Sequence, residues 1–436
     1  MRARRRVIVV GAGLGGLRAG WELARAGHEI IILERKNHPG GRAGSAPDPE
    51  TGEPVDTGQH IFMGCYRETR GWFKALGTAD RLSFQPRMEV SYLRAAGPPV
   101  VVKTSALPPP FHLLGAAGLS AARIAKDVLH PGRGLDRMTV REWEDARGIP
   151  ADARETLFDP LAIAALNELP ETASALPFVV SLQELARTGN AGCVIGFATA
   201  GLGETYVSAA GQAIMAAGGS LRVGAWATRL LVRDGAVRGV RLADGTDLEA
   251  DAVISTVPPW DLVPLLEGVA ELASLRESIA KFQPSPIVTV HLWLDRPVHP
   301  GRFSGFLDGA FHWVFNRSAI VGGTPGGREH LCLVKSGARD LLGKKPDELA
   351  ALAREELNRF LPASRPAMVE RARTVWETKA TVSLTPGTDA LRPSALLPLP
   401  GLALAGDWVQ TGLPATIESA VKSGGMAARA LVSSLP

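Results

Sequence analysis

Gly11, Gly13 and Gly16 stand at GxGxxG spacing inside VIVVGAGLGGL (residues 7–17), and Glu34 follows 18 residues after the last of them. Each glycine answers a physical need of a bound diphosphate. The first permits a tight turn, the second lets the backbone approach the phosphates, and the third lets helix and strand pack closely. A helix beginning at this turn offers free N–H groups and partial positive charge to an anion. A carboxylate at Glu34 can accept from ribose hydroxyls, which suits a 2′-hydroxyl and not a 2′-phosphate. Just beyond lie Arg35 and then HPGGRAG, where Gly40 and Gly41 allow close approach and the Arg42 guanidinium can meet a diphosphate with a forked contact.

The elements that must carry these groups follow from residue pattern. Arg6 to Val10 reads as a fully buried parallel strand, Leu14, Leu17, Trp21 and Ala24 recur at helical spacing up to Gly27, and EIIILE (29–34) is a second buried strand. Together they make one βαβ unit. Downstream, Glu204 to Ala217 is expected as a helix, residues 221–246 as a hairpin with Asp-Gly turns, IVTVHLWL (287–294) as a strand and Pro346 to Phe360 as a helix. No second GxGxxG with strand and acid occurs, so a nicotinamide site is not expected, and the electron donor or acceptor is left unspecified.

The chain has 436 residues with 48 Lys plus Arg against 44 Asp plus Glu, so its formal charge is only +4. That near balance argues against nucleic-acid binding, which calls for a concentrated basic stripe. Cys65, Cys193 and Cys332 lie far apart without CxxC or Cys/His spacing, which fits a reducing compartment and neither a disulfide framework nor a structural zinc site. MRARRR followed by an apolar run imitates a secretion signal, but glycines and then Arg18, Glu22 and Arg25 break the run. The longest uncharged segment, Thr104 to Ala122, carries Pro108, Pro109 and Pro110 and is not expected to span a membrane. A cytoplasmic location is expected.

Glu34 to Arg42 resembles the ExxxxxGGR signature of the flavoprotein superfamily of amine oxidases, protoporphyrinogen oxidase and phytoene desaturases. VDTGQH (55–60) is similar to its D-x-G-x-H stretch, and GLALAGDWVQTGLPATIESAVKSGGMAARAL (401–431) to its closing motif. The resemblance implies FAD as cofactor and adds contacts from Gly15, from Gly58, Gln59 and His60, from Pro258, and from Gly406, Asp407, Leu413, Pro414 and Ala415. It implies that Asp407 meets the ribityl and diphosphate region and that a final helix, begun around Pro414, points its N-terminus at the flavin. Opposite chain ends must then meet. The expected fold is α/β: a discontinuous Rossmann-like FAD domain from residues 1–80, 200–280 and 395–436, with an inserted α+β substrate domain from 81–199, largely helical, and 281–394.

Three stretches, DTGQHIFMGCYRET (56–69), LFDPLAIAALNELPETASA (157–175) and AGDWVQTGLPATIESAVKSG (405–424), resemble the hydroxysqualene dehydroxylase family of hopanoid pathways. That resemblance implies loss of an allylic hydroxyl from a C30 isoprenoid with hydride delivered from reduced FAD. Such chemistry asks for a dry apolar channel and a proton donor. Leu157 to Phe178 and the aromatic set Phe303, Phe306, Phe311, Trp313 and Phe315 are candidate channel walls, with plain core as the competing reading. Asp159, Glu168 and Tyr206 are the candidate donors, because burial would keep a carboxyl protonated. Against this, Asp159 could cap a helix and Glu168 could sit on a solvated turn. His60 and Glu418 read as cofactor or structural contacts.

Three rival readings stay open. A flavin amine oxidase usually has an aromatic cage, and this chain has only Tyr66, Tyr92 and Tyr206 as tyrosines. A carotenoid or phytoene-type desaturase runs the redox chemistry the other way, and an inactive flavin-binding membrane adaptor shares the motifs without turnover. Because a C30 hydrocarbon is delivered from lipid, peripheral contact at the inner face of the membrane is a further expectation. It would use Leu107, Phe111, Leu113, Leu114 and Leu119 with a basic rim of Arg123, Lys126, Arg133 and Arg137.

Overall fold

The computed structural model describes residues 4–48, 50, 54–107, 109, 111–113, 120–323 and 327–434. Leu114 and Leu119 lie outside these residues, as does the Leu113 side chain.

Five parallel strands among the described residues form one sheet in the order 220–223, 29–34, 6–10, 252–255, 402–404. The opening strand Arg6–Val10 sits at its centre, pairing with Glu29–Glu34 on one side and Ala252–Ser255 on the other. Its Val7, Ile8 and Val9 are fully buried, which is why the run is apolar on both faces rather than alternating. Gly11 then turns with φ +102°, a conformation that L side chains rarely adopt. The helix Leu14–Arg25 crosses so close to the strand end that a Cβ on Gly16 would lie 1.9 Å from the Gly11 carbonyl oxygen. The last helix, Ile417–Ser434, packs on this first one, bringing the two chain ends together.

Two expectations shift here. Residues Ser220–Val223 do not form the first arm of a hairpin: they pair parallel with Glu29–Glu34, placing Val223 opposite Glu34. The hairpin is confined to Ala227–Arg233 and Ala236–Leu242, extended by Asp247–Glu249. The helix expected from Glu204 opens as a π-helical turn, Gly203–Val207, before the α-helix Ser208–Ala216. The helix Pro346–Phe360 has the expected bounds, with proline in its first turn, and the strand expected at 287–294 runs over Pro284–Leu294.

A second sheet, of seven strands among the described residues, has the order 369–382, 284–294, 329–336, 313–316, 303–306, 89–93, 100–103. Strand alternation divides its work. Val288, Val290, Leu292, Leu331 and Leu333 pack under the helix Pro346–Phe360. Ile287, Thr289, Val334 and Ser336 face the other way, into a cavity. Above that cavity lie helices Ser120–Leu129, Val140–Ala146, Asp159–Leu166 and Ala175–Cys193, joined around the mutually packed rings of Trp143, Phe158 and Phe178.

Candidate active site

One cavity of 1310 Å³ runs between the two sheets, larger than the roughly 300–1,000 Å³ typical of a site for one drug-sized ligand. Its walls collect Gly11, Gly13, Gly15, Glu34 and Arg35 from the opening unit and Gly41 and Arg42 from the loop after it. Gly58, Gln59, His60 and Pro258 follow from the middle of the chain, and Gly406, Asp407, Leu413, Pro414 and Ala415 from the far end. Gly16 is not among them; it is spent on helix-to-strand packing.

The nucleotide end has the form of a cradle. A Cβ on Gly13 would meet no protein atom within 4 Å except the Gly41 Cα at 3.8 Å, so the backbone there borders open space. The helix starting at Leu14 has no side-chain cap, leaving its first N–H groups to a ligand. Glu34 is buried and already accepts from the backbone N–H groups of Ala12 at 3.0 Å and Lys36 at 2.9 Å. Those bonds orient the carboxylate and leave lone pairs for ribose hydroxyls. Arg35 pairs with Asp261 at 2.9 Å. These residues fit the adenosine diphosphate half of FAD.

Arg42 is not a lone guanidinium. It donates to the Asp407 carboxylate at 2.6 Å and to the Ala380 carbonyl at 2.9 Å, so its ion pair ties positions 365 residues apart at the cavity wall. The closing loop that carries Asp407 depends on a residue without any motif around it. Arg392, its side chain 1% exposed, donates to the carbonyls of Asp407, Trp408, Val409 and Leu413 at 2.7–3.2 Å. The final helix begins at Ile417, not at Pro414, and Pro414 and Ala415 belong to the loop ahead of it. Leu413 to Glu418 nevertheless line the cavity, so that helix end faces it. Glu418 accepts from the N–H groups of Glu68 and Thr69 and from the Thr69 hydroxyl at 2.7–3.0 Å, capping the helix Arg67–Leu76. Burial raises its pKa. His60 is held by the Gly58 carbonyl at 2.9 Å, and burial lowers its pKa, keeping the imidazole neutral.

The three proton-donor candidates take other positions, and none lines the cavity. Asp159 pairs with Arg141 at 2.9 Å beside Glu144, whose carboxyl is pushed up to about 8 by burial and then by Asp159. It makes no helix-capping bond. Glu168 is not on a solvated turn: its side chain is fully buried and grips Arg339 through two contacts of 2.6 and 2.7 Å. The Tyr206 hydroxyl lies 2.9 Å from the Gly40 carbonyl and within bonding distance of Ala43, so it braces the GGR loop from behind. Asp159 and Glu168 are each engaged by an arginine away from the cavity wall, and the Tyr206 hydroxyl is spent on backbone carbonyls.

That wall is mostly apolar away from the nucleotide end. Leu157, Phe158 and Leu161 reach it, whereas Ile163, Leu166, Leu176 and Phe178 do not. Of the aromatic set, Phe303, Trp313 and Phe315 face the cavity, while Phe306 stacks on Phe360 under the covering helix and Phe311 is core. Asn167, at φ +54°, ends its helix and bonds the Ser285 carbonyl, the Thr381 hydroxyl and the Gly337 N–H at 3.0–3.2 Å, anchoring the helical cap to the sheet. Tyr66 lines the cavity just after the strand Ile61–Met63. Burial raises its pKa, so it stays protonated. Cys65, beside it, is pushed up to about 12 by burial. Phe111 and Leu129 both line the cavity and are more than half exposed, which marks a mouth there. Among the described residues no helix is long and apolar enough to cross a membrane.

The protein-family model described as flavin containing amine oxidoreductase matches residues 14–432. The chain is 29% identical to a hydroxysqualene dehydroxylase of Rhodopseudomonas palustris, over 97% of each chain. It is 26% identical to a 15-cis-phytoene desaturase of Synechococcus elongatus, over 98% of this chain and 96% of that one. A cyclohexylamine oxidase from Brevibacterium oxydans has the same fold at a TM-score of 0.74, with 16% identity and 99% coverage of both chains. A match over nearly the whole length, on a fold whose two ends meet at one cavity, leads to one assignment: the chain belongs to the flavin containing amine oxidoreductase family and is an FAD-dependent oxidoreductase.

Proposed function

We propose that this enzyme removes the allylic hydroxyl of hydroxysqualene, giving squalene. The observation that carries this reading is the apolar arm of the cavity, which leads from the FAD segments past Phe303, Trp313 and Leu161 to the mouth at Phe111 and Leu129. Apart from its single hydroxyl, such a C30 chain has only hydrocarbon to bury along the arm, at about 0.8 kcal/mol per CH₂. FAD, when bound, supplies two-electron hydride exchange with a substrate carbon. The chain's own part is to bind the hydrocarbon, exclude water and handle one proton. Tyr66 Oη is the proposed proton donor: it lines the cavity and is kept protonated by burial. Its proton converts the departing hydroxyl to water as the C–O bond breaks, and the dry wall keeps solvent water from the allylic carbon.

Desaturation of a polyene such as phytoene is the second reading, favoured by the equally extensive likeness to a phytoene desaturase, and it needs no proton donor. Anaerobic incubation of chemically reduced enzyme with hydroxysqualene separates the two. Squalene formation with reoxidation of the flavin is expected, and absence of both, with phytoene oxidised instead, overturns the proposal. Tyr66→Phe should retain FAD and lose turnover by about 10²–10⁴-fold, the span of general acid catalysis. Substrate entry is proposed from a lipid surface, since Phe111 and Leu129 are exposed at the mouth, and Leu107, Arg123, Lys126, Arg133 and Arg137 are exposed on the same stretch of chain. Pelleting with anionic liposomes at low salt is expected, and failure to pellet overturns that part.

A further inference from the structure

Beyond the end of the cavity, on the same sheet face, two neighbouring strands bring together three groups that the redox chemistry does not use. Pro284–Leu294 and Glu329–Ser336 pair antiparallel with His291 opposite Cys332, and the two-residue period of a strand puts His330 on the same face as Cys332. Nδ1 of His291 then lies 3.0 Å from Nε2 of His330 and 3.1 Å from Sγ of Cys332, with 3.7 Å between the last two. His291 and Cys332 are each 2% exposed, while His330 is half-buried.

Hydrogen bonding does not account for this triangle. A neutral ring nitrogen has either one in-plane proton or one in-plane lone pair, so Nδ1 of His291 can satisfy only one of its two close neighbours. The other nitrogen of the same ring, Nε2, is buried without a hydrogen-bond partner. A metal ion has no such restriction, because it meets several lone pairs at once. Metal–nitrogen bonds of about 2.0–2.1 Å and a metal–thiolate bond of about 2.3 Å would set nitrogen and sulfur roughly 3.3–3.6 Å apart at tetrahedral angles. The three atoms are within a few tenths of an ångström of that spacing.

We propose that His291, His330 and Cys332 form a binding site for one soft d¹⁰ metal ion, held by two imidazole nitrogens and one thiolate. Imidazole and thiolate together select Cu(I) and Zn(II) over hard, oxygen-seeking cations. The surrounding charges rank the two. Arg317, Arg371 and Arg373 lie close, facing Asp48, which pairs with Arg371 and Arg373, and Asp56, 3.5 Å from Arg317. Glu50 also pairs with Arg371 at 2.8 Å, so three guanidiniums meet three carboxylates and the buried neighbourhood is balanced, where any added net charge is costly. A monovalent ion that displaces the thiol proton leaves the net charge unchanged, whereas a divalent one adds to it. Cu(I) is therefore favoured. Thr289 and Val334, which line the cavity, stand two residues along each strand from His291 and Cys332, so an ion here would clip the two strands beside the FAD segment that carries Gly58.

The test uses the FAD-loaded enzyme. Under anaerobic conditions it is given Cu(I) against a chromophoric Cu(I) chelator and, separately, Zn(II) against a Zn(II) chelator. Metal retained after gel filtration is counted by mass spectrometry, and the metal-edge X-ray absorption of the loaded wild type is recorded. One equivalent is expected, with two nitrogens and one sulfur in its first shell. Cys332→Ser and the more exposed His330→Ala should each weaken retention at least tenfold with FAD content unchanged, while Cys193→Ser should not. No retained ion, equal retention in both ligand variants, or a first shell without sulfur would overturn the site. Because the absorption measurement uses the wild type, it decides the matter even if Cys332→Ser does not fold. Zn(II) bound ahead of Cu(I) would support the ligand set and overturn the charge ranking.

Discussion

Gly13→Ala and Gly16→Ala, three residues apart, should fail in opposite ways, and the difference reads directly on where FAD is held. At Gly13 the backbone has φ −81° and ψ −174°, an extended conformation open to alanine, and the added Cβ would touch only the Gly41 Cα at 3.8 Å. The protein alone should therefore be unharmed or stabilised by about 0.4–1 kcal/mol through a less flexible unfolded chain. The same methyl group occupies the space through which a diphosphate approaches the turn, and overpacking costs about 1–3 kcal/mol, a roughly 5- to 150-fold loss of FAD affinity. At Gly16 the Cβ would lie 1.9 Å from the Gly11 carbonyl oxygen and 3.0 Å from Thr256 Oγ1. Backbone must move there, so the fold itself should lose about 1–3 kcal/mol or more with or without flavin. The assay strips the flavin, follows thermal unfolding of each apo-protein, and titrates FAD back by fluorescence quenching. Unchanged FAD affinity in Gly13→Ala would place the diphosphate elsewhere, and wild-type stability in Gly16→Ala would refute the packing argument.

Arg392→Met should release FAD, because four carbonyls of the closing loop lose their donor; an ordinary flavin-to-protein ratio at 450 nm in a stable variant would count against that role. Glu168→Gln should keep its turnover at low temperature while urea unfolding shows a loss of about 2–3 kcal/mol, below the 3–5 typical of a broken buried pair because Arg339 is 43% exposed. Lost turnover at unchanged stability would restore Glu168 as the proton donor. His312 is pushed down to about 4 by burial first and by Lys335 second. Its folded pKa is thus below its unfolded one, so its contribution is present above about pH 6.5 and disappears as pH falls towards 4. His312→Gln should remove up to about 3 kcal/mol of that acid sensitivity, and an unaltered stability profile between pH 6.5 and 4 would disprove it.

The parts of this protein legible from residue order are those set by contiguous backbone requirements. A buried β-branched run, a glycine that alone tolerates φ +102°, a helix with a glycine facing the strand and a second buried run ending in Glu34 each constrain the chain within a few residues. The strand through 287–294 and the helix Pro346–Phe360 were readable for the same reason, since alternation and a proline in the first turn are local. The meeting of the two chain ends came from motif resemblance, and the Arg42–Asp407 pair is its physical expression.

Tertiary structure alone decided which polar groups are free to react. Asp159 and Glu168 read as candidate acids in an apolar stretch, but whether a carboxyl is protonated depends on partners the sequence does not mark. Arg141 lies 18 residues before Asp159, and Arg339 lies 171 after Glu168. Ser220–Val223 could pair with its own hairpin or with Glu29–Glu34, and sheet completion chose the latter. Arg392 carries no signal in LRPSA, because its acceptors are carbonyls, which every residue has. The spacing of the cysteines likewise hid His330 and Cys332 at strand period, since their third member stands on another strand and only the antiparallel register brings it opposite. Local backbone geometry is encoded over a few residues, whereas pairing, burial and proton affinity are properties of contacts between segments far apart in the chain.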